Sequence, residues 1–456
     1  MSALLDIITK INTTVVWGPA MLVLLIGAGL FLTFRLKFMQ FTKLGFVMKN
    51  TIGSVFKKNQ HAKDESGVSP FQAVTTALAG TIGTGSIAGI ATAIMAGGPG
   101  AVFWMWISAL LGMATKYSEI VLSLKYREKN EKGEWRGGPM YYIKNGLKVK
   151  WLAAAFAVFA MVACLGTGNA TQSNSISVAL HSSLGINVWV TGIVLTVIVA
   201  VVILGGVRRI ASVNEKMVPF MAMFFVVCSF TALIMNIKEV PAAFALIFRE
   251  AFNFEAAFGG IAGFGIMKAM QFGFSRGVFS NEAGLGSAPI AHAASSTKDP
   301  VKQGLWGMFE VFFTTIIICT VSALVILTTG VWDAGLGYEG AALSIASFDK
   351  ILPGVGGLGV TLSTIFFALS TILGWAYYGE VAATYLFKNG KRAVFVYRIV
   401  YVGCVFLGAV ADLKLVWAIS EMMNGLMAIP NLIALIGLSG VVAKATKDFF
   451  AKDKLQ

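Results

Sequence analysis

Eleven long, unbroken apolar runs limit what this chain can become. They lie at about 15–33, 70–96, 99–124, 151–181, 186–206, 217–237, 257–276, 304–330, 356–387, 393–411 and 415–441. A helix needs about 20 apolar residues to cross the hydrocarbon core of a bilayer. The runs are continuous rather than alternating, which excludes barrel strands. Charged residues make up 13% of the 456 positions, against about 25% in a soluble domain. That is too few to clothe a soluble core, so soluble, disordered and fibrous classes are excluded. The first run has no small-residue cleavage site ahead of a soluble domain, and ten more runs follow. It reads as a true helix and not a signal peptide.

The basic residues give the orientation. Loops 34–69, 125–150, 207–216, 276–303 and 388–392 and the tail after 441 together hold 28 Lys and Arg, and the alternate connections hold 5. Positive charge stays on the cytoplasmic side, so the N-terminus is expected outside and the C-terminus inside. The formal charge of +14 is thereby a matter of topology, and no nucleic-acid partner is expected. Cys164, Cys228, Cys319 and Cys404 each sit in an apolar run without metal or disulfide spacing. His61, His181 and His292 form no ligand pair, and no cofactor is expected.

Two runs are poor as continuous helices. The second holds Ala79-Gly80-Thr81-Ile82-Gly83-Thr84-Gly85-Ser86-Ile87-Ala88-Gly89 at mid-depth. Each Gly is roughly 1 kcal/mol worse than Ala in a helix, so a local unwinding is predicted there. The seventh holds Gly259, Gly260, Gly263 and Gly265, then Gln271–Gly277, and is followed by Asn281-Glu282-Ala283-Gly284-Leu285-Gly286. Close helix packing is the competing explanation for such glycines. Spans two and seven are five apart, and five is odd. Spans 2–6 (70–237) and 7–11 (257–441) thus form two units of opposite orientation, each opening with a broken helix. Interrupted segments at matching positions of inverted halves point to the binding site of a secondary transporter. Residues 1–69 are a peripheral helix and loop, and 442–456 a tail.

The stretch Gly97-Gly98-Pro99-Gly100-Ala101-Val102-Phe103-Trp104-Met105-Trp106-Ile107-Ser108-Ala109-Leu110-Leu111-Gly112 resembles the signature of the alanine or glycine:cation symporter family. Ala79–Gly89 and Asn281–Gly286 also resemble that family. The resemblance implies an all-α membrane protein of eleven spans with a leucine-transporter-type 5+5 inverted repeat behind one extra helix. It also implies sodium-driven uptake of alanine and glycine across a prokaryotic cell membrane, with no obligate protein partner beyond the lipid bilayer.

A zwitterionic substrate needs N–H donors for its carboxylate, and a half-helix N-terminus supplies them. Gly83, Thr84, Gly85 and Ser86 are expected to meet it, carbonyls from Ala79 to Ile82 can take a cation, and Thr81 and Ile82 are further substrate candidates. Carbonyls around Gln271–Ser275 are expected to take the ammonium, with Phe272 and Phe274 as apolar walls. Asn169 and Gln172, on the polar outer half of the fourth span, are further candidates. By the resemblance, sodium sits between the first broken helix and hydroxyls of the ninth span, which makes Gly80, Gly83, Ser370 and Thr371 its shell. Those hydroxyls could instead bond their own helix. Lys268, Glu310, Glu380, Arg398 and Glu421 are charged and within spans, with Lys268 and Glu421 the deepest. The broken part of the second span has no carboxylate, which favours sodium over a proton, although proton coupling stays open. Gly437-Leu438-Ser439-Gly440 matches a short intramembrane-protease motif, but no His is expected near Ser439. No filter repeat or P-loop suggests a channel or ATP drive. Loop 34–69 is expected to form an interfacial amphipathic helix anchored by Phe38, Phe41, Leu44, Phe46 and Phe56.

Overall fold

The computed structural model describes residues 2–54, 67–131, 133–252, 262–333, 335–338, 340–387, 390–411 and 414–453. Phe56, His61, Gly259 and Gly260 lie outside them. The helices used below are α1 (Leu4–Arg35), α2 (Pro70–Thr81), α3 (Ala88–Gly97), α4 (Ala101–Lys125), α5 (Lys150–Leu184), α6 (Val188–Leu204), α7 (Gly206–Met235) and α8 (Val240–Ala251). They continue with α9 (Ala262–Asn281), α10 (Ala288–Ala293), α11 (Pro300–Thr329), α12 (Gly340–Ile351), α13 (Gly356–Leu386), α14 (Gly390–Val410), α15 (Lys414–Leu426), α16 (Ala428–Gly437) and α17 (Ser439–Asp453). Among the described residues eight helices are long and apolar enough to cross a membrane, and α3 and α6 are shorter apolar helices. On α6, Val190, Val194, Val197, Val201 and Leu204 form one exposed apolar face. Such a face suits lipid.

Local sequence explains the element ends. Ser69 and Gln72 form a reciprocal capping box at the start of α2, with Pro70 at the first helical position. Gly98 turns the chain between α3 and α4 at φ +73°, a conformation open to Gly at no steric cost. A π-helical turn at Gly166–Ala170 interrupts α5, and a longer one at Phe312–Cys319 interrupts α11. Such turns are uncommon and often mark functional positions.

α4 is the central post. It packs along α9 and α11 and is the most buried of the eight long helices. The signature stretch builds this contact. A Cβ on Gly100 would lie 2.5 Å from the Glu250 carbonyl carbon of α8, and one on Gly273 2.5 Å from the Ala101 carbonyl oxygen. Phe103 meets Phe252 and Phe248 at ring separations of 4.8 and 5.8 Å. Trp106 donates its indole N–H to Thr320 at 2.8 Å. Gly273 and Gly277 of the seventh run therefore serve close packing against α4, whereas a Cβ on Gly265 would meet nothing within 4 Å.

That corrects one expectation. α9 runs unbroken through Gln271–Ser275 to Asn281, and the interruption comes later, at 282–287, before α10. Asn281–Gly286 is not a surface loop: every residue in it is buried. The break in the second run falls between Thr81 and Ala88, inside the predicted stretch. On one face the chain entering α2 pairs with the chain leaving α10. Val68 N donates to Ala294 O at 3.0 Å, and Ser296 N to Val68 O at 2.8 Å. The described residues of loop 34–69 hold two short helices, Met39–Thr42 and Leu44–Asn50, and a 3-10 turn at Ile52–Ser54. Phe38 and Phe41 are exposed as expected of anchors, whereas Phe46 packs on Phe449 and Phe450 of α17.

The Gly273 contact predicts a measurable asymmetry. Gly273→Ala forces backbone apart and is expected to cost about 1–3 kcal/mol, lowering the unfolding temperature in detergent. Gly27→Ala, whose Cβ meets nothing within 4 Å, is expected to leave that temperature unchanged or raise it.

Candidate functional site

The break in the second run exposes backbone that a bilayer cannot solvate, so side chains must satisfy it. From α13, Thr371 Oγ1 donates to Ala79 O at 3.0 Å and Ser370 Oγ to the same oxygen at 3.3 Å. Both hydroxyls also lie 2.9 Å from Phe367 O of their own helix. The two readings of this hydroxyl pair thus coexist in one geometry. The carbonyl they reach is Ala79's. Gly80 O faces Trp375, whose indole N–H lies 3.3 Å away. Gly83 packs against Thr371, with room for no side chain: a Cβ would lie 2.7 Å from Oγ1.

On the α3 side of the break, Gln172 of α5 accepts from the Thr84 hydroxyl at 3.0 Å and donates to Thr167 O at 3.1 Å. Ser86 and Ser280 pair at 3.3 Å, and Ser322 and Ser344 donate to the Ser86 and Ile87 carbonyls at 2.9 and 3.1 Å. A Cβ on Gly85 would lie 2.9 Å from the Phe279 ring. A cavity of about 10 Å³ lies here, lined by Gly83, Gly85, Gln172, Phe279, Glu282, Trp375 and Asn424 among others. That volume holds roughly one water. Thr81, although its hydroxyl bonds Ala77 O at 2.7 Å, also lines the cavity.

Other predicted residues lie elsewhere. Gln271 donates to Trp17 O at 3.1 Å, on the side of α1. Ser275 bonds Phe272 O at 3.4 Å within its own helix, and Phe272 packs on Gly97. Phe274 is buried in α9. With α9 continuous, carbonyls at Gln271–Ser275 are committed to helix bonds and cannot take an ammonium. Asn169 donates to Tyr401 O at 2.7 Å and ties α5 to α14 instead of facing the cavity.

The second break is held by charge. Glu282 sits at φ +56°, a strained position for a non-glycine residue. Its carboxylate accepts from Trp375 Nε1 at 3.0 Å and Ser287 Oγ at 2.5 Å. One indole therefore joins both breaks, touching Gly80 and Glu282. α4 supplies the rest. Lys116 Nζ donates to Asn281 O at 2.8 Å and pairs with Glu310 at 3.4 Å. One turn later, Glu119 accepts from Gly284 N at 3.0 Å and from Asn431 Nδ2 at 2.5 Å. A cation thus meets the carbonyl end of α9 and an anion meets the N–H groups beyond it, matching the partial charges of a helix terminus and the turn after it. Glu310 also accepts from His292 Nε2 at 2.7 Å, and His292 Nδ1 faces Gln303 at 2.8 Å.

These buried charges overturn several expectations. Lys268 is exposed and Glu421 is partly exposed beside Arg276 at 3.5 Å, so neither is among the charges buried inside the protein. Lys116, Glu119, Glu282 and Glu310 are the buried ones among the charges near the breaks. His292 is buried within α10. Glu380 is bridged by Arg136 and Arg398 at 3.2 and 2.7 Å. Carboxylates do approach the breaks, although none belongs to the second run. Sequence offered partial signals. Trp375 lies one helical turn after Thr371, Thr167 belongs to the polar stretch of α5, and Lys116 and Glu119 share a helix face. Asn424 gave no such signal.

Removing Asn431 tests the second break. Asn431→Ala strips the amide from Glu119 and from Gly284 O, which it meets at 2.8 Å. Buried groups left unpaired cost about 1–3 kcal/mol each. The unfolding temperature in detergent is expected to fall, and an unchanged value would contradict the role given to this amide.

Comparison with known proteins places these features. The chain shares 49% identity with the sodium/alanine symporter AgcS of Methanococcus maripaludis over 453 residues, covering 98% of each chain. It shares 38% with a Bacillus subtilis protein named "Probable sodium/glutamine symporter GlnT", covering 100% of this chain and 92% of the other. The crystal structure of MhsT in complex with L-phenylalanine has the same fold, with a TM-score of 0.57 at 12% identity, covering 85% of this chain and 99% of that one. A family model described as the sodium:alanine symporter family matches residues 1–456. Its helices mark a multi-pass membrane protein, and the chain belongs to the sodium:alanine symporter family.

Proposed function

We propose that this protein couples inward sodium flow to uptake of alanine and glycine by alternating access across a prokaryotic cell membrane. The observation that carries the reading is the meeting of Ser370, Thr371, Gly83 and the Ala79 carbonyl at the end of α2. Three oxygens and the negative end of a half-helix converge there, which is the donor chemistry a hard cation takes. Sodium would exchange for the hydroxyl protons' contact with Ala79 O, with the Gly80 and Gly83 carbonyls completing the shell.

The substrate lies beside the ion, over residues 81–86. Its carboxylate faces the turn before α3. Its ammonium faces Asn424 Oδ1, which is buried and has no hydrogen-bond partner, and the Glu282 carboxylate. An unpaired buried acceptor is costly, and an ammonium relieves it. Phe279 and Trp375 restrict the side chain to hydrogen or methyl, and the contracted cavity must widen to admit even that.

In this reading the chain has eleven spans, with the N-terminus outside and the C-terminus inside, and spans 2–6 and 7–11 are inverted units. The pairing of Val68 with Ala294 and Ser296 supports inversion, since it sets the entry of α2 and the exit of α10 on one face. The second reading is proton coupling. It is favoured by the buried Lys116, Glu310 and His292 cluster beside both breaks.

Labelled alanine uptake into proteoliposomes separates the two. An inward sodium gradient is expected to drive uptake, and a proton gradient alone is not. Thr371→Ala is expected to weaken sodium activation roughly tenfold, the loss of about one charge-assisted contact. Equal uptake on a proton gradient would favour the second reading. Phe279→Ala is expected to let glutamine compete with alanine at concentrations about tenfold lower than in the parent, a gain of about one to two methylenes of space.

A further inference from the structure

Lys116 sits in what is otherwise a cation site. Its ammonium is fully buried on α4 and touches three oxygens of three different kinds. These are the Asn281 carbonyl at 2.8 Å, the Thr81 hydroxyl at 3.4 Å and the Glu310 carboxylate at 3.4 Å. Carbonyl, hydroxyl and carboxylate oxygens are the ligand set of a hard cation. The first two mark the carbonyl ends of α2 and α9, where both broken helices stop. Each end carries negative partial charge, so the point where they meet attracts a cation whatever its origin.

The surroundings hold Glu310 as an acceptor. Gln303 Nε2 lies 2.8 Å from His292 Nδ1, so in this arrangement the ring carries its proton on Nε2 and donates it to Glu310 Oε1 at 2.7 Å. The other carboxylate oxygen, Oε2, has no hydrogen bond of its own and faces the ammonium. A buried ion pair serving stability alone has no need of this location, since an apolar pair of similar volume is often as stable.

We infer that Lys116 is a resident cation, occupying the place of a second coupling ion at the junction of the two broken helices, and that the protein therefore carries one sodium per amino acid. This rests on the sodium-coupled reading above. The tethered ammonium neutralises the helix ends in every state of the cycle and cannot be released, so it contributes nothing to the driving force. The ion at Ser370 and Thr371 is the one that moves.

The test is the accumulation ratio of alanine in proteoliposomes with the membrane potential clamped at zero. With a tenfold sodium ratio, one coupled sodium gives about tenfold accumulation and two give about a hundredfold. The wild-type protein is expected to give about tenfold, and about a hundredfold overturns the inference while leaving sodium coupling intact. Sodium-independent accumulation sinks the sodium reading and this one together. In Lys116→Gln the three oxygens stay and the ammonium is lost, so a second sodium enters. Below saturation, tenfold more sodium is then expected to tighten alanine binding about a hundredfold, against about tenfold in the parent. A variant that binds alanine as the parent does, with the parent's single-sodium dependence, overturns the inference. Should that variant fail to fold, the wild-type ratio decides alone.

Discussion

Backbone that leaves a helix inside a bilayer has no water to bond, and every N–H and carbonyl so released must find a partner within the protein. Two such interruptions lie back to back here, and the rest of the structure is arranged around meeting their needs. α4 supports the second break with Lys116 on the carbonyl side and Glu119 on the N–H side. α13 supports the first with Ser370 and Thr371 and joins it to the second through Trp375. α5 contributes Gln172 through the helix that its π-helical turn redirects.

The same economy explains the small residues. Gly80, Gly83 and Gly85 each lie so close to Tyr378, Thr371 or Phe279 that a Cβ would intrude at under 3.0 Å. The glycines thus do two things at once: they loosen the helix and let polar partners from α13 and the apolar wall of α9 reach the loosened backbone. Satisfaction by side chains alone would leave a closed, inert site. In the proposed cycle an ion and a zwitterion replace some of those partners: Ala79 O is shared between two hydroxyls and Asn424 Oδ1 has none.

Part of this was legible in the sequence. The break in the second run was, because four glycines with Thr and Ser between them weaken a helix at mid-depth, and Thr371 with Ser370 followed from the family resemblance. The second break was misplaced. Gly density drew attention to the stretch up to Gly277, where glycine serves packing against α4. The real interruption uses Asn281 and Glu282, which hydropathy reads as the end of a span. They stay buried only because Lys116, Glu119 and Trp375, distant in sequence, complete them. For the same reason the buried charges Lys116 and Glu119 are not legible in their own run: position along one run says nothing of which face meets a partner from another. Asn169 shows the converse, a polar residue that looked available and is spent on Tyr401.

In the proposed cycle an ion and an amino acid bind together at the first break, each completing the site for the other. Equilibrium binding of labelled alanine to the purified protein tests it directly, in sodium chloride against potassium chloride. Sodium is expected to tighten alanine binding, and alanine to tighten sodium binding by the same factor, as linkage requires. Alanine binding of equal strength in both salts would contradict the account.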